Sequence, residues 1–149
     1  MSISKLTITS SAFADGDFIP KKYTADGEDI SPDLNIEGVP NDAQSLVIIV
    51  DDPDAPNGLW THWTVFNIDP RNTQIPENTD PGILGMNDFK RINWGGPSPP
   101  SGTHRYFFKV YALDIKLDLG EGALPDALKN AMKDHILAEG ELVGKYTRE

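Results

Sequence analysis

Hydrophobic and polar residues along this chain fall into short runs and alternations, a pattern that favours β-strands over helices. Residues 3–9 largely alternate between apolar and polar, which predicts a half-buried strand. Residues 46–50 are apolar throughout and mostly β-branched, which predicts a strand covered on both faces. Further strands are predicted over residues 62–68 and 104–113, the second being the longest, and a short edge strand over residues 141–146.

The segments between these strands are rich in turn-forming residues. Residues 15–44 contain Asp-Gly, Ser-Pro and Asn-Asp pairs, and residues 69–101 contain Asp-Pro, Gly-Pro and Pro-Pro pairs. The whole chain has 12 prolines and 13 glycines, which suits a loop-rich β domain in which only 38% of the residues are hydrophobic.

The strand over residues 104–113 has one face without fixed charge. Arg105 and Lys109 lie on the opposite face, because successive side chains of a strand alternate between its two faces. We therefore expect the uncharged face to pack on the core. Its residues are His104, Tyr106, Phe108, Val110 and Ala112.

One helix is predicted late in the chain. Pro125 suits a first helical position, Asp126 complements the positive end of the helix dipole, and Gly140 is a candidate left-handed cap. The residues on its apolar stripe are Leu124, Leu128, Ala131, Met132, His135 and Ala138. The predicted fold class is therefore mostly β, with one late helix packed against a sheet.

Length, charge and composition narrow the classes of function. The 149 residues suit one domain, which we place at residues 1–149, and the net charge of −10 argues against duplex nucleic acid or an anionic membrane as the main partner. There is no cysteine, which excludes disulfide scaffolds and thiolate zinc sites. No segment approaches about 20 consecutive apolar residues, so we expect a soluble cytoplasmic protein without integral membrane association.

Polar side chains with the chemistry of an anion site lie at or near the ends of predicted strands. Asp52 and Asp54 follow the short apolar strand. His62 and His104 each begin a strand, and Tyr106 projects to the same face as His104. Ring N–H groups and a phenol can donate hydrogen bonds to the oxygens of a phosphate monoester or a zwitterion. We expect the nearby carboxylates to raise the pKa of both imidazoles and so to favour the form that donates from both ring nitrogens.

Ordinary structural roles compete with each of these assignments. A histidine at a strand end is more often a surface or turn residue, and Asp54 is typical of a turn that hydrogen-bonds its own loop. Trp60, Trp63 and Trp94 are more typical of core or rim packing than of stacking platforms.

Two chemical alternatives use the same segments. A metal site built from His62, His104 and Asp52 is possible, although the usual short spacing of a ligand pair is absent. Ser98 lies in the proline-rich loop before His104, and it could act as a nucleophile only with a base within about 3 Å. No Gly-x-Ser-x-Gly elbow, phosphate-binding glycine loop or His-Glu-x-x-His motif occurs.

Three longer stretches resemble the signature regions of a known family. They are residues 52–56, residues 62–68 and residues 96–106. In this order and spacing they resemble the two signature regions of the phosphatidylethanolamine-binding protein family, and in particular its bacterial and archaeal branch, often called Raf kinase inhibitor-like. The shorter segments that support the resemblance are residues 18–20, 31–34, 39–40 and 141–146.

The resemblance implies a β-sandwich-like fold with a large central antiparallel sheet, a smaller second sheet and a peripheral helix. It also implies an anion pocket where the signature regions meet. The residues assigned to ligand binding are Asp52, Asp54, His62, Pro99, Pro100, His104 and Tyr106. Those assigned to the pocket rim are Trp60, Trp63, Trp94, Gly96 and Ser98. Arg105, which alternation points away from His104, is expected to make a structural ion pair.

These observations lead us to expect a non-enzymatic protein that binds a small anion or a phosphorylated head group and has a regulatory or inhibitory role. We expect no cofactor, metal or catalytic residue. The alternatives are a histidine- or metal-assisted hydrolase of small phosphate or carboxylate esters, and an inhibitor of a protease or kinase that uses the loops at residues 56–60 and 94–100. Such a protein could form a homodimer. The chain is shorter than animal relatives before His62, so their kinase-inhibitor role is not carried over.

Overall fold

The computed structural model describes residues 3–148. The strands and helix within that range are β1 (Ser4–Lys5), β2 (Thr7–Thr9), β3 (Leu34–Glu37), β4 (Ser45–Asp52), β5 (Trp60–Ile68), β6 (Gln74–Ile75), β7 (Ile83–Leu84), β8 (Gly102–Leu113), α1 (Pro125–Met132) and β9 (Ile136–Arg148). A 3-10 turn covers Lys21–Tyr23. Within the same range, no helix is both long enough and apolar enough to cross a membrane.

The strands form two sheets. The larger sheet has the order β1-β9-β8-β4-β5-β7, and the smaller sheet has the order β2-β3-β6. All neighbouring strands are antiparallel except β1 and β9, which are parallel. The mostly β prediction with two sheets and a late helix is confirmed. The larger sheet is antiparallel except at this one edge, where the first strand enters beside the last strand in the same direction.

β4 is the central strand and is buried along its whole length. Leu46, Ile48 and Val50 face a core shared with the smaller sheet, whereas Val47 and Ile49 face a second core that includes side chains of α1. Full burial of one such side chain contributes about 1.5–3 kcal/mol, and a one-residue slip would exchange the two faces. The prediction of a strand covered on both faces is therefore confirmed.

The uncharged face of β8 packs on the core, as predicted. His104, Tyr106 and Phe108 are buried, whereas Arg105 is exposed and Lys109 is half-buried on the other face. The alternation that builds this core also places His104 and Tyr106, the first two inward residues of the strand, on the same side of the sheet.

The predicted strand over residues 3–9 is two strands in different sheets. Leu6 is buried between β1 and β2 and carries the chain from the larger sheet to the smaller one. β1 pairs with β9, and β2 pairs with β3. Alternation along a sequence specifies which face of a strand is buried but not which strand it pairs with, so it does not reveal this division.

β9 differs most from its prediction. It spans 13 residues and exceeds the 12 residues of β8, so β8 is not the longest strand. It is also not a short edge strand, because it lies between β8 and β1. Gly140 and Gly144 make β9 hard to recognise in the sequence, because they interrupt the alternation of apolar and polar residues. Both glycines lie where other segments approach the strand closely. A Cβ on Gly144 would lie 2.5 Å from the side chain of Ile19.

The helix begins at Pro125 as predicted but ends at Met132. Beyond it the backbone becomes extended, with a ψ of 134° at Lys133, and Gly140 lies within β9 and is not the helix cap. The buried face of the helix is formed by Leu128 and Met132. Ala131 is partly buried against the same core. The members of the predicted stripe that lie outside this face are Leu124, His135 and Ala138.

Gly140 provides a test of how β1 is seated on β9. A methyl group at this position would collide with the carbonyl oxygen of Leu6. We expect Gly140→Ala to lower the free energy of unfolding by about 1–3 kcal/mol, measured by urea or thermal denaturation. Gly120→Ala is the matched control, because no atom lies within 4 Å of its added methyl group. The control should stay within about 1 kcal/mol of wild type, and equal losses in the two variants would contradict this packing.

Candidate functional site

A small cavity lies where the ends of β4, β5 and β8 meet the loop before β8. Its volume is about 190 Å³. Its lining residues are Asp52, Ala55, Pro56, Trp60, His62, Phe89, Ser98, Pro100, His104 and Tyr106. A larger groove of about 700 Å³ runs along β1, β2 and β9, but its lining has no histidine and mixes both signs of charge. The smaller cavity is therefore the candidate site.

A β-bulge aims His62 into this cavity. Its neighbours Thr61 and Trp63 pair with consecutive residues of β4, which leaves His62 as the extra residue on β5. His62 and Trp63 consequently both face inward, His62 against the ring of Tyr106 and Trp63 in the core. Simple alternation along a strand would place these two side chains on opposite faces.

A buried carboxylate orients His104. Nδ1 of His104 donates a hydrogen bond of 2.6 Å to Oδ2 of Asp52, and both side chains are less than 10% exposed. The Oδ1 atom of Asp52 accepts a second hydrogen bond, of 2.7 Å, from the backbone N–H of Asp54. Because Nδ1 is engaged, Nε2 is the nitrogen of His104 that remains for a ligand.

A backbone carbonyl orients His62. Nδ1 of His62 donates a hydrogen bond of 2.6 Å to the carbonyl oxygen of Gly95. Since a carbonyl oxygen can only accept, Nδ1 carries the hydrogen of the neutral ring. Burial lowers the pKa of His62 below its ordinary value, and the hydrogen bond to Gly95 and the charge of Asp52 only partly oppose this effect. The expectation of a raised pKa is wrong for His62, whose neutral ring presents the lone pair of Nε2.

Tyr106 brings a hydroxyl without a partner to the cavity. The side chain is 1% exposed, and its hydroxyl makes no hydrogen bond with any residue in the range 3–148. Burial raises the pKa of this phenol, so the hydroxyl stays protonated. A buried polar group left unpaired costs about 1–3 kcal/mol, which makes this hydroxyl a natural partner for a bound ligand.

Aromatic rings form another part of the wall. Phe89 lies edge-on to Trp60 and to His62, with ring centroids 5.4 and 5.3 Å apart. Sequence reasoning missed Phe89, because it lies in an irregular loop with no periodic pattern. It also missed Ala55 and Pro56, although both belong to the segment at residues 52–56 that carries the family resemblance.

Asn87 fixes the loop that carries Phe89. Its side-chain amide donates to the carbonyl oxygens of His62 and Asn93, at 3.2 and 2.8 Å. Its Oδ1 accepts from the backbone N–H groups of Phe89 and Arg91. Asn87 is buried, so these bonds tie the loop firmly to β5 beside His62.

The segment that supplies the Gly95 carbonyl is anchored on both sides. The backbone N–H of Gly96 donates to the carboxylate of Asp29 at 2.8 Å, and the indole N–H of Trp94 donates to the carbonyl of Tyr23 at 3.2 Å. The orientation of His62 therefore depends on residues that are distant from it in the sequence.

The sequence and fold resemble those of known proteins. The sequence model of the phosphatidylethanolamine-binding protein family matches residues 9–147. This chain belongs to that family. Among its relatives, a UPF0098 protein from Methanothermobacter thermautotrophicus is 47% identical, over 96% of this chain and 99% of the relative. A UPF0098 protein from Pyrococcus horikoshii is 50% identical, over 94% of this chain and 76% of the relative.

Solved structures of the phosphatidylethanolamine-binding protein family share the architecture. A homologue from Chlamydia trachomatis superposes with a TM-score of 0.94 at 41% identity, over 98% of this chain and 99% of that one. Escherichia coli YbcL superposes with a TM-score of 0.90 at 29% identity, over 98% of this chain and 100% of that one. The fold and family expected from the sequence are confirmed.

Most of the residues predicted for the site do line the cavity. They are Asp52, Trp60, His62, Ser98, Pro100, His104 and Tyr106. Ser98 is not hydrogen-bonded to either imidazole within the described residues, so no activated serine is seen there. Nor do residues 3–148 contain a group of three or more His, Asp or Glu side chains arranged to hold a metal ion.

The other predicted residues lie outside the cavity lining. Trp63 and Trp94 pack edge-on against each other in the core, with ring centroids 5.5 Å apart, so the packing interpretation is the correct one. Pro99 and Gly96 are buried in the loop before β8. Their contribution is to the shape of the loop.

Asp54 is predicted to bind the ligand, but it does not line the cavity. It contacts Asp52, which does. Its carboxylate accepts hydrogen bonds of 2.9 Å from the backbone N–H, Nε and Nη2 of Arg105. Its own backbone N–H donates to Asp52. The structural ion pair predicted for Arg105 is confirmed, and it links the start of β8 to the carboxylate that holds His104.

The ion pair between Asp54 and Arg105 predicts a particular acid dependence of stability. Hydrogen bonds from Arg105 lower the pKa of Asp54 from 3.8 to about 2. Such a group stabilises the fold above its unfolded pKa, and this stability is lost as the pH falls through the folded pKa. We expect the stability difference between wild type and Asp54→Asn to be constant above about pH 5 and to shrink between about pH 4 and pH 2. It should be small, because the Asp54 and Arg105 side chains are 30% and 53% exposed.

Urea denaturation at a series of pH values measures this difference. Asp118→Asn is the control, because Asp118 is exposed and makes no ion pair with the described part of the chain. A stability difference for Asp54→Asn that persists unchanged down to pH of about 2 would show that the ion pair does not operate in solution.

Proposed function

We propose that this chain is a non-enzymatic protein that binds small oxyanions, such as phosphate or a phosphorylated head group. The observation that carries the proposal is the convergence of two oriented imidazoles and an unpartnered phenol on one cavity. These groups belong to His62, His104 and Tyr106.

The size of the cavity favours a small ligand. Its volume of about 190 Å³ lies below the range of about 300–1,000 Å³ that is typical for drug-sized molecules. A water molecule occupies about 30 Å³ in the liquid, so there is room for about six waters, or for a phosphate group with a short substituent. The rings of Trp60 and Phe89 offer apolar contact for such a substituent.

Anion binding at these imidazoles is linked to protonation. A neutral ring whose Nδ1–H is already engaged offers only the lone pair of Nε2, whereas a protonated ring offers Nε2–H as a donor in its place. Asp52 remains beside His104 as its countercharge. An anion that accepts from Nε2–H therefore favours the protonated rings, and its affinity falls as the pH rises.

The regulatory part of the proposal concerns the loops at residues 56–60 and 94–100. Both contribute residues to the cavity, so a bound anion would contact both and alter the surface they present to a protein partner. Leu59 and Trp60 are 48% and 36% exposed on the first of these loops. Exposed aromatic residues such as Trp60 are enriched in protein interfaces.

Calorimetric titration with phosphorylethanolamine at about pH 5, where its phosphate group keeps one O–H, tests the proposed site. We expect His104→Ala to weaken binding roughly 10- to 100-fold, because a hydrogen bond to a charged group contributes about 1.5–3 kcal/mol. His135→Ala is the matched control, since His135 pairs with Asp114 and does not line the cavity. The control should bind like wild type.

The wild-type affinity should weaken as the pH rises. His62 has a lowered pKa, so its own contribution as a donor develops only as the pH falls below the ordinary imidazole value of about 6.5. Equal affinity of wild type and His104→Ala at every pH would count against the proposed site.

A further inference from the structure

We infer that the cavity selects oxyanions that retain an acidic hydrogen, such as hydrogenphosphate, over fully deprotonated ones such as sulfate, and that Nε2 of His62 accepts the hydrogen bond from the ligand O–H. This inference rests on the proposed function and names the class of anion within it.

The surroundings of His62 make its ring an acceptor. The carbonyl oxygen of Gly95 holds the hydrogen on Nδ1 at 2.6 Å, and only Nε2 is left to meet a ligand in the cavity that the ring borders. The side chain is 3% exposed, and burial disfavours the charged form of the ring.

Several titratable groups face or surround this ring. They are Asp51 and Asp52 from β4, Asp88 from the loop after β7, and His104 and Tyr106 from β8. The three carboxylates favour a protonated ring, but the effect of burial is larger, so the pKa of His62 is lowered and the ring is neutral at neutral pH.

No fixed positive charge in the cavity lining takes the place of the Nε2–H donor that a neutral His62 ring lacks. No lysine or arginine of the described chain lines the cavity. Three basic side chains on β8 and β9 pair with carboxylates: Arg105 with Asp54 at 2.9 Å, Arg148 with Asp26 at 2.7 Å and Lys109 with Asp51 at 3.2 Å. The guanidinium carbon of Arg91 lies 5.2 Å from the ring centroid of Phe89.

These features favour binding of hydrogenphosphate over binding of sulfate. Sulfate at neutral pH has only acceptor oxygens, so it would place one of them against the lone pair of Nε2 without a cation to offset the repulsion. Hydrogenphosphate has an O–H that can donate to Nε2 of His62, and its other oxygens can accept from the Tyr106 hydroxyl. Sites built around a ligand O–H discriminate strongly against analogues that lack it, because their own polar group is left unpaired.

Calorimetric titration of the whole protein with inorganic phosphate and with sodium sulfate, at matched ionic strength, tests the inference. At about pH 8 we expect phosphate to bind at least about tenfold more tightly than sulfate. On acidification to about pH 5 the ratio should move towards one, because protonated His62 can then donate to sulfate from Nε2–H.

A variant at His62 tests which atom selects the ligand. His62→Gln replaces the ring with an amide that can donate an N–H, so sulfate should bind more tightly relative to phosphate at about pH 8 than it does to wild type. His135→Gln is the matched control and should keep the wild-type ratio, because His135 is outside the cavity. The pH series on wild type tests the inference even where His62→Gln does not fold.

The outcomes separate this inference from the proposed function. Equal affinities for phosphate and sulfate at about pH 8 would overturn the inference while the anion site remains, and so would a phosphate preference that does not narrow on acidification. Binding of neither ion at any pH would overturn both.

Discussion

Two buried hydrogen bonds, each to an imidazole Nδ1, constrain everything that the cavity can do. The carbonyl of Gly95 holds His62, and the carboxylate of Asp52 holds His104. Both bonds fix the direction of a ring and also decide which nitrogen carries hydrogen in its neutral form. The ligand therefore meets Nε2 of each ring, and the chemistry of binding follows from the protonation of those two atoms.

The rest of the structure serves to hold these two acceptors in place. Asp52 ends the central buried strand β4, and its carboxylate is steadied by Asp54, which Arg105 in turn holds. Gly95 is positioned by a loop that is hydrogen-bonded to Asn87 through the carbonyl of Asn93 and to residues 23–29 through Trp94 and Gly96. A rigid β core thus supplies one anchor, and a network of loop hydrogen bonds supplies the other.

Features of the sequence that are local in character predict much of this arrangement. Asp52, His104 and Tyr106 can be found because strand ends and alternation are visible in the residue pattern. His62 is found by the same reasoning, but its inward direction depends on a β-bulge, which no pattern marks. The sequence predicts a raised pKa for His62 because the neighbouring carboxylates are visible in it, whereas the burial that lowers this pKa exists only in the folded chain.

Other features depend on contacts between distant segments and could not be predicted. Phe89 joins the cavity only because Asn87 folds its loop onto β5. The family resemblance places Trp63 and Trp94 near the site, but it does not separate residues that line a cavity from those packed behind it. The sequence predicts only a short edge strand in place of β9, because the glycines that allow close approach to neighbouring segments resemble strand breaks in a sequence.

The protonation state of His62 in solution is the decisive observation. In a two-dimensional spectrum that correlates imidazole nitrogens with ring protons at neutral pH, we expect a neutral His62 ring with its hydrogen on Nδ1. Added phosphate should shift the Nε2 resonances of His62 and His104 and leave those of His135 in place. A His62 ring that is charged at neutral pH or carries its hydrogen on Nε2, or Nε2 resonances that do not respond to phosphate, would contradict the site described here.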